Sequence, residues 1–227
     1  VIESRKFGGA TIKTAPIVEF NGQSYGIPDN LYIIGTVNMD ETTHPFSKKV
    51  LDRANTIEFN EVHLTNFSFL NDVQEHVETV EVKNDLFKSK YIQLPDAVEY
   101  MDVIKDVSQE LEQINAILSS IYAQVGYRVR DEIAFYMSYN EDFNLMSRDE
   151  AMDFCIMQKI LPRISGAGKE VEDVLDRLLN LFTSGEISSL DSNSNFIETA
   201  KYPRSAKKLQ EMKARYGTQG FVSYWIS

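Results

Sequence analysis

Leu31-Tyr32-Ile33-Ile34-Gly35-Thr36-Val37-Asn38 is the stretch that decides the predicted fold. It is largely apolar and follows the turn residues 28–30, which is typical of a strand covered on both faces. In open parallel sheets, ligands bind just beyond the carboxyl ends of such strands. A carboxamide there donates and accepts hydrogen bonds, so Asn38 is a candidate for orienting a water that attacks a phosphate. The alternative is that Asn38 only caps a turn.

The residues before this stretch predict a hairpin. Residues 10–20 are rich in strand-forming side chains, and Asn21-Gly22 separates them from a second run, residues 23–27. Both loop residues tolerate positive φ, which a two-residue hairpin loop requires. Residues 1–5 are typical of the end of a helix. Because the chain begins on a helix end, we expect it to be part of a longer protein.

A short helix with an exposed arginine is predicted after Asn38. It spans residues 47–53, with Ser47 as the N-cap, and a further strand is predicted at residues 55–59. Arg53 ends this helix, and a guanidinium delivered across a subunit boundary can stabilise charge on a transferring phosphoryl group. The alternative is a surface ion pair with Asp52 or a neighbouring acid, the commoner role for a lone arginine.

The character of the sequence changes after Pro95. Apolar residues recur at spacings of three and four along residues 103–121, which predicts one long amphipathic helix that Gly126 ends. Further helices are predicted at residues 129–139, 147–161, 169–183 and 203–215.

Two details of this second part are predicted from local signals. Ser147 and Glu150 fit a capping box at the start of their helix, and the polar residues 184–195 predict a mobile loop. Residues 62–94 have little pattern, apart from valines at positions 77–82 that indicate a strand.

Residues 27–40 and Leu51-Asp52-Arg53-Ala54 together resemble AAA+ ATPases of the dynein-related and McrB-like branch, which includes the motor subunits of methylcytosine-dependent restriction systems. The resemblance covers most of residues 1–60 and 96–227. It implies that Asn38 is the sensor 1 residue, which monitors the γ-phosphate and the lytic water. It also implies that Arg53 is a trans-acting arginine finger, with Lys48 and Lys49 next in line.

Gly126-Tyr127-Arg128 resembles the start of a lid helix in AAA+ proteins. The resemblance implies that Arg128 is the nucleotide-binding sensor 2 arginine, with Arg130 as a substitute. A helix N-terminus presents backbone N–H groups to an anion, and a nearby arginine strengthens the attraction. The alternative is an ordinary ion pair with Asp131 or Glu132. Residues 158–166 and 202–205 also resemble lid segments, without a chemical role.

The phosphate-binding elements of this family are missing from the sequence. It contains no Gly-x-x-x-x-Gly-Lys-[Ser/Thr] loop, and no strand ending in an acidic pair precedes residues 31–37. In the family both elements lie upstream. We therefore expect ATP or GTP with Mg²⁺ to bind in a longer parent protein, and no cofactor to bind this fragment alone.

The predicted fold class is α/β plus all-α. Residues 1–61 are expected to be the C-terminal remnant of a P-loop AAA+ α/β domain, residues 62–95 an insertion or connector, and residues 96–227 a helical lid domain. The predicted function is a fragment of an AAA+ nucleoside-triphosphatase motor in a McrB-like DNA restriction complex. The parent is expected to form a homo-oligomeric ring, with a nuclease subunit as a candidate partner. The alternative is a non-catalytic scaffold derived from an AAA+ lid.

Composition narrows the function classes. The 227 residues carry a net charge of −11, which argues against a direct grip on nucleic acid by this segment. No apolar run is long enough to span a bilayer. Cys155 is the single cysteine, expected to be a buried inert thiol, and a reducing, cytoplasmic setting is predicted. The histidines are scattered without ligand spacing, so no metal site is expected.

Overall fold

The computed structural model describes residues 4–39, 46–59, 64–65, 67, 79–184, 197 and 199–225. Contacts divide the chain into two compact units, each described by itself. Unit 1 consists of Val1–Val37 and Phe59–Asp96, and unit 2 of Asn38–Glu58 and Ala97–Ser227. Among the described residues, no helix is long and apolar enough to cross a membrane.

Unit 1 contains two antiparallel β-hairpins. Their strands are β1 (Lys6–Gly8) with β2 (Thr11–Lys13), and β3 (Val18–Phe20) with β4 (Gln23–Tyr25). In the second loop, Asn21 has a φ of 51° and Gly22 a φ of 75°. Both values lie in the left-handed region that a two-residue hairpin loop needs. The hairpin predicted from the Asn-Gly pair is therefore confirmed.

The strand predicted at residues 31–37 is not formed. Residues 31–39 are neither helix nor strand, and Ile34 is 92% exposed. A strand covered on both faces needs neighbours that pair its backbone groups, and no described strand pairs with this segment. The segment instead has a side-chain contact, in which the Tyr32 hydroxyl donates to Asn84 Oδ1 at 2.7 Å.

The strands predicted at residues 55–59 and 77–82 are not formed in the described residues either. Residues 54–59 are neither helix nor strand in the structure, so that prediction is wrong. Thr56 and Glu58 of this stretch form side-chain contacts with the helical part of unit 2, as described below. Residues 79–83 are likewise without regular structure, and Val77 lies outside the described residues. The predicted loop at residues 184–195 also lies outside them, except for Ser184.

Unit 2 is built from helices, and each predicted helix is present. Their bounds are α1 Lys48–Leu51, α2 Met101–Leu118, α3 Tyr127–Phe143, α4 Arg148–Cys155, α5 Lys169–Phe182 and α6 Pro203–Gln219. The helix predicted to end at residue 161 changes form after Cys155, continuing as a π-helical turn, Ile156–Ile160, and a 3-10 turn, Leu161–Arg163. Gly126 does not end α2; it is the N-cap of α3.

The core of unit 2 follows the predicted apolar stripe. In α2 five buried side chains recur every three or four residues, at Ile104, Val107, Leu111, Ile114 and Leu118, and Ile117 is buried beside them. Helix α2 packs against α3, and α5 packs against α6. A short antiparallel pair, β5 (Ser165–Ala167) with β6 (Phe221–Ser223), joins the end of the chain to the segment before α5.

The two predicted N-caps differ in the structure. The Ser147 hydroxyl accepts a hydrogen bond from the Glu150 backbone N–H at 3.2 Å, so the cap of α4 is confirmed. Ser47 occupies the N-cap position of α1, but its side chain makes no capping hydrogen bond. The described elements are thus helices with small two-stranded sheets, and the AAA+ origin of the fold stays a prediction.

Candidate functional site

Arg163 joins helix α1 to the loop that precedes α3. It ends the 3-10 turn Leu161–Arg163 and is only 8% exposed. Its Nε donates to the carbonyl of Ala123 at 3.2 Å and its Nη2 to the carbonyl of Gln124 at 2.8 Å. Its Nη1 donates to the carboxylate of Asp52, the residue after α1. The planar guanidinium suits several acceptors at fixed angles, so one side chain fixes both segments.

Helix α1 has further contacts with the same loop. The Lys48 ammonium donates to the carbonyl of Tyr122, whose φ of 54° places it in the left-handed region. Leu51 is buried, whereas the other residues of α1 are exposed. The short helix is therefore anchored at both ends, by Lys48 and by Asp52.

Arg53, the predicted arginine finger, lies on the exposed side of this anchored turn. Its Nη1 donates to the carbonyl of Lys49, one turn back along the chain. Asp52, the partner considered in the alternative reading of Arg53, has its carboxylate bound by Arg163. The turn thus directs the acid inward and leaves the arginine exposed.

Arg128, the predicted sensor 2 residue, lies in the first turn of α3 and is exposed. Its alternative role was an ion pair with Asp131 or Glu132. Arg130 makes that pair with Asp131, at 2.6 Å, and its guanidinium lies 5.0 Å from the centre of the Tyr127 ring. Glu132 is bound by the buried ammonium of Lys159. Arg130 therefore serves internal contacts, and the sensor 2 role of Arg128 stays a prediction.

Asn38, the predicted sensor 1 residue, is exposed and belongs to unit 2. It lies in residues 31–39, so it does not follow a strand in this structure. The structure thus brings together the segments that carry Arg53 and Arg128, through Arg163. Asn38 was predicted to lie at the carboxyl end of a buried strand, and residues 31–39 do not form that strand.

Two more contacts hold residues 54–58 on the helical part of unit 2. The Thr56 hydroxyl donates to the carbonyl of Gln158 at 2.7 Å. The buried ammonium of Lys208 donates to both Glu58 oxygens, at 2.7 and 2.6 Å, and lies 4.4 Å from the centre of the Tyr224 ring. Burial and the neighbouring Glu58 carboxylate raise the pKa of Tyr224, so its hydroxyl stays protonated.

Four basic residues of α6 and the segment before it serve internal contacts. Several are paired with carboxylates on other elements: Lys201 with Glu110, Arg204 with Glu150, Lys208 with Glu58 and Lys213 with Asp176. Since oppositely charged groups already neutralise these cations, they stabilise contacts between elements of this chain.

Two features concern metal-binding and thiol chemistry. Within the described part of the chain, no group of three or more His, Cys, Asp or Glu side chains is arranged to hold a metal ion. Burial raises the pKa of the Cys155 thiol to about 12, as expected for an inert core cysteine.

The family is shown by a match over most of the helical part. Residues 73–221 match the family model described as Domain of unknown function (DUF8727). The chain belongs to this family. No curated protein and no solved structure matches the chain significantly. The DUF8727 match includes Arg128 and Arg163, whereas Asn38 and Arg53 precede it.

Arg163 lies within the DUF8727 match and is not among the site residues predicted from the sequence. A signal for it does exist, since this cation stands in the apolar run Ile160-Leu161-Pro162-Arg163-Ile164. A charge inside such a run predicts a buried partner, because an unpaired charge is costly to remove from water. The identity of that partner is not predictable in this way, since Asp52 lies 111 residues away.

Proposed function

We propose that this chain supplies the sensor, finger and lid elements of an AAA+ motor that hydrolyses ATP or GTP. The observation that carries the proposal is the Arg163 link between Asp52 and the carbonyls of Ala123 and Gln124. Because of this link, the segments that carry Arg53 and Arg128 are held together, and both arginines are exposed residues. Arginines placed in this way can neutralise the charge that develops during phosphoryl transfer.

The two arginines have different roles in this proposal. Arg128 stands in the first turn of a helix of 17 residues, where the helix dipole and free N–H groups favour an anion, and it binds the phosphates of the same subunit. Arg53 acts on the nucleotide of a neighbouring subunit in a ring. The phosphate loop and the Mg²⁺ ligands come from residues outside this chain. ATP versus GTP, the nuclease partner and a role in DNA restriction are proposals from the family resemblance alone.

The test uses the protein in which a phosphate loop and an acidic strand precede this chain. There, Arg53→Ala should lower hydrolysis on the order of 10³-fold while nucleotide binding stays nearly intact, since a finger acts on developing charge. Mixing it with a phosphate-loop variant should restore part of the activity. Arg177→Ala, at an exposed arginine of α5, is the matched control and should hydrolyse normally.

Arg128→Ala tests the second role. It should weaken triphosphate binding or hydrolysis about tenfold, the scale of one charge-assisted hydrogen bond, without lowering the melting temperature. Arg130→Ala should lower the melting temperature, because it removes the pair with Asp131. It should leave turnover unchanged. Normal hydrolysis by both Arg53→Ala and Arg128→Ala would overturn the proposal.

A non-catalytic scaffold is the second candidate function. The observation that favours it is the exposed apolar pair Ile33 and Ile34, because exposed apolar side chains often mark a surface for a partner. In that case Ile34→Ser should abolish assembly with partner subunits while the arginine variants have no effect on hydrolysis.

A further inference from the structure

We infer that Arg163 is a positioning residue for Arg53: it fixes the Asp52–Arg53 turn to the loop ahead of α3, so that the helical domain carries the finger. The inference rests on the proposed function for its effect on turnover. Its effect on the mobility of residues 50–54 needs no nucleotide.

The burial of the two side chains and the other acceptors of Arg163 indicate which partner holds the other. The Arg163 side chain is 5% exposed, whereas that of Asp52 is 33% exposed. Arg163 keeps two backbone acceptors, Ala123 and Gln124, whether or not Asp52 is present. Asp52 is therefore the partner that is held, and Arg163 is the anchor.

The chain geometry carries the effect from Asp52 to Arg53. Their backbone amides close the end of α1, with the N–H of Asp52 donating to Lys48 and the N–H of Arg53 donating to Val50, both at 2.9 Å. With the Asp52 side chain held inward, the next side chain has a restricted set of directions. A group that must stabilise a transition state gains from such preorganisation, because no reorientation is needed during the reaction.

Neighbouring contacts hold the same segment from the other side. Thr56 donates to the Gln158 carbonyl, and Glu58 is bound by Lys208, so residues 52–58 are tied to the turns 156–163 and to α6. Gln158 and Arg163 lie on the two consecutive turns that follow α4. Any movement of the helical domain relative to a bound nucleotide would therefore move Arg53 as well.

The first measurement is amide hydrogen exchange on the full chain. Asp52→Ala and Arg163→Lys should each speed exchange at residues 50–54 by tenfold or more, while exchange in α2 and α5 stays unchanged. Lysine keeps the buried charge but loses the fork that serves three acceptors. Asp52→Asn keeps an oxygen acceptor and should have a smaller effect. Asp102→Ala, at a fully exposed side chain, is the matched control.

The second measurement is turnover in the protein that carries the phosphate loop. Asp52→Ala should lower kcat by tenfold or more with KM nearly unchanged. Adding Arg53→Ala to Asp52→Ala should lower kcat by a smaller factor than Arg53→Ala does in the wild-type protein, because both substitutions act through the Arg53 guanidinium. Unchanged exchange at residues 50–54 in both variants overturns the inference. Faster exchange in Asp52→Ala together with a normal kcat in the same variant also overturns the inference. If Arg53→Ala still hydrolyses slowly in that case, the proposed function survives. A normal kcat in Arg53→Ala overturns the finger role itself and the inference with it.

Discussion

Asp153 is a buried carboxylate that closes the N-terminus of α6. It accepts hydrogen bonds from the backbone N–H of Arg204 at 2.8 Å, and from the N–H and hydroxyl of Ser205 at 2.9 and 2.5 Å. The first N–H groups of a helix have no partner within it, so the carboxylate satisfies them and complements the helix dipole.

We expect Asp153→Ala to lower the free energy of unfolding by about 3 kcal/mol, because it leaves buried donors without acceptors. Chemical denaturation with linear extrapolation measures this loss. Asp102→Ala is the control at an exposed carboxylate and should change stability by less than about 0.5 kcal/mol. A loss below about 1 kcal/mol for Asp153→Ala would contradict the capping role.

Single residues differ in how far the sequence predicts them. Ser147 was predictable as an N-cap because its partner Glu150 is three residues away. The partners of Asp153 and Arg163 were not predictable, since they lie 52 and 111 residues away and are chosen by tertiary packing. Arg130 differs from both, because the partner that the structure gives it, Asp131, is the next residue of the chain.

Elements show the same contrast between local and non-local causes. The helix α2 and the Asn21-Gly22 hairpin follow from periodicity and turn chemistry within a few residues, and both are present. Residues 31–37 have a strand-like composition, but a buried strand also needs neighbours, which no local pattern supplies. The site residue Asn38 depends on that strand end, whereas Arg53 and Arg128 depend on helix ends that local signals do predict.

Glu110 connects three elements, and its titration should affect the stability of their packing. On α2, it accepts hydrogen bonds from the Tyr202 hydroxyl, from Arg148 at 2.7 Å and from Lys201 at 3.0 Å. Burial alone would raise the pKa of Glu110, but these hydrogen bonds outweigh burial and hold the pKa below its ordinary value of 4.5.

A carboxyl with a lowered folded-state pKa stabilises the protein above its unfolded-state pKa, and this contribution is lost as pH falls through the folded value. The wild-type chain should therefore lose stability more steeply below about pH 4.5 than Glu110→Gln does. Urea denaturation over a pH series measures the slope. Glu112→Gln, at an exposed carboxyl of the same helix, should keep the wild-type slope. Equal slopes for wild type and Glu110→Gln would contradict the prediction.

The two compact units should differ in stability over the whole molecule, because they bury very different amounts of apolar surface. Among the described residues of unit 1, the buried apolar side chains are Ile12 and Tyr91, whereas unit 2 buries apolar residues on α2 to α6. Local stability follows the density of buried apolar contacts. We expect amides of the hairpins β1–β2 and β3–β4 to exchange at least about 100-fold faster than those in the middle of α2.

Two matched truncations separate the units. Ile114→Ala removes a fully buried side chain of α2 and should lower the unfolding free energy of the helical unit by about 3 kcal/mol. Ile12→Ala should leave exchange in α2 unchanged, since its side chain belongs to the other core. Hydrogen exchange resolved by segment gives both results from one experiment. Hairpin amides that exchange as slowly as α2 would show that the small β unit shares the stability of the helical core, contrary to the burial of its residues.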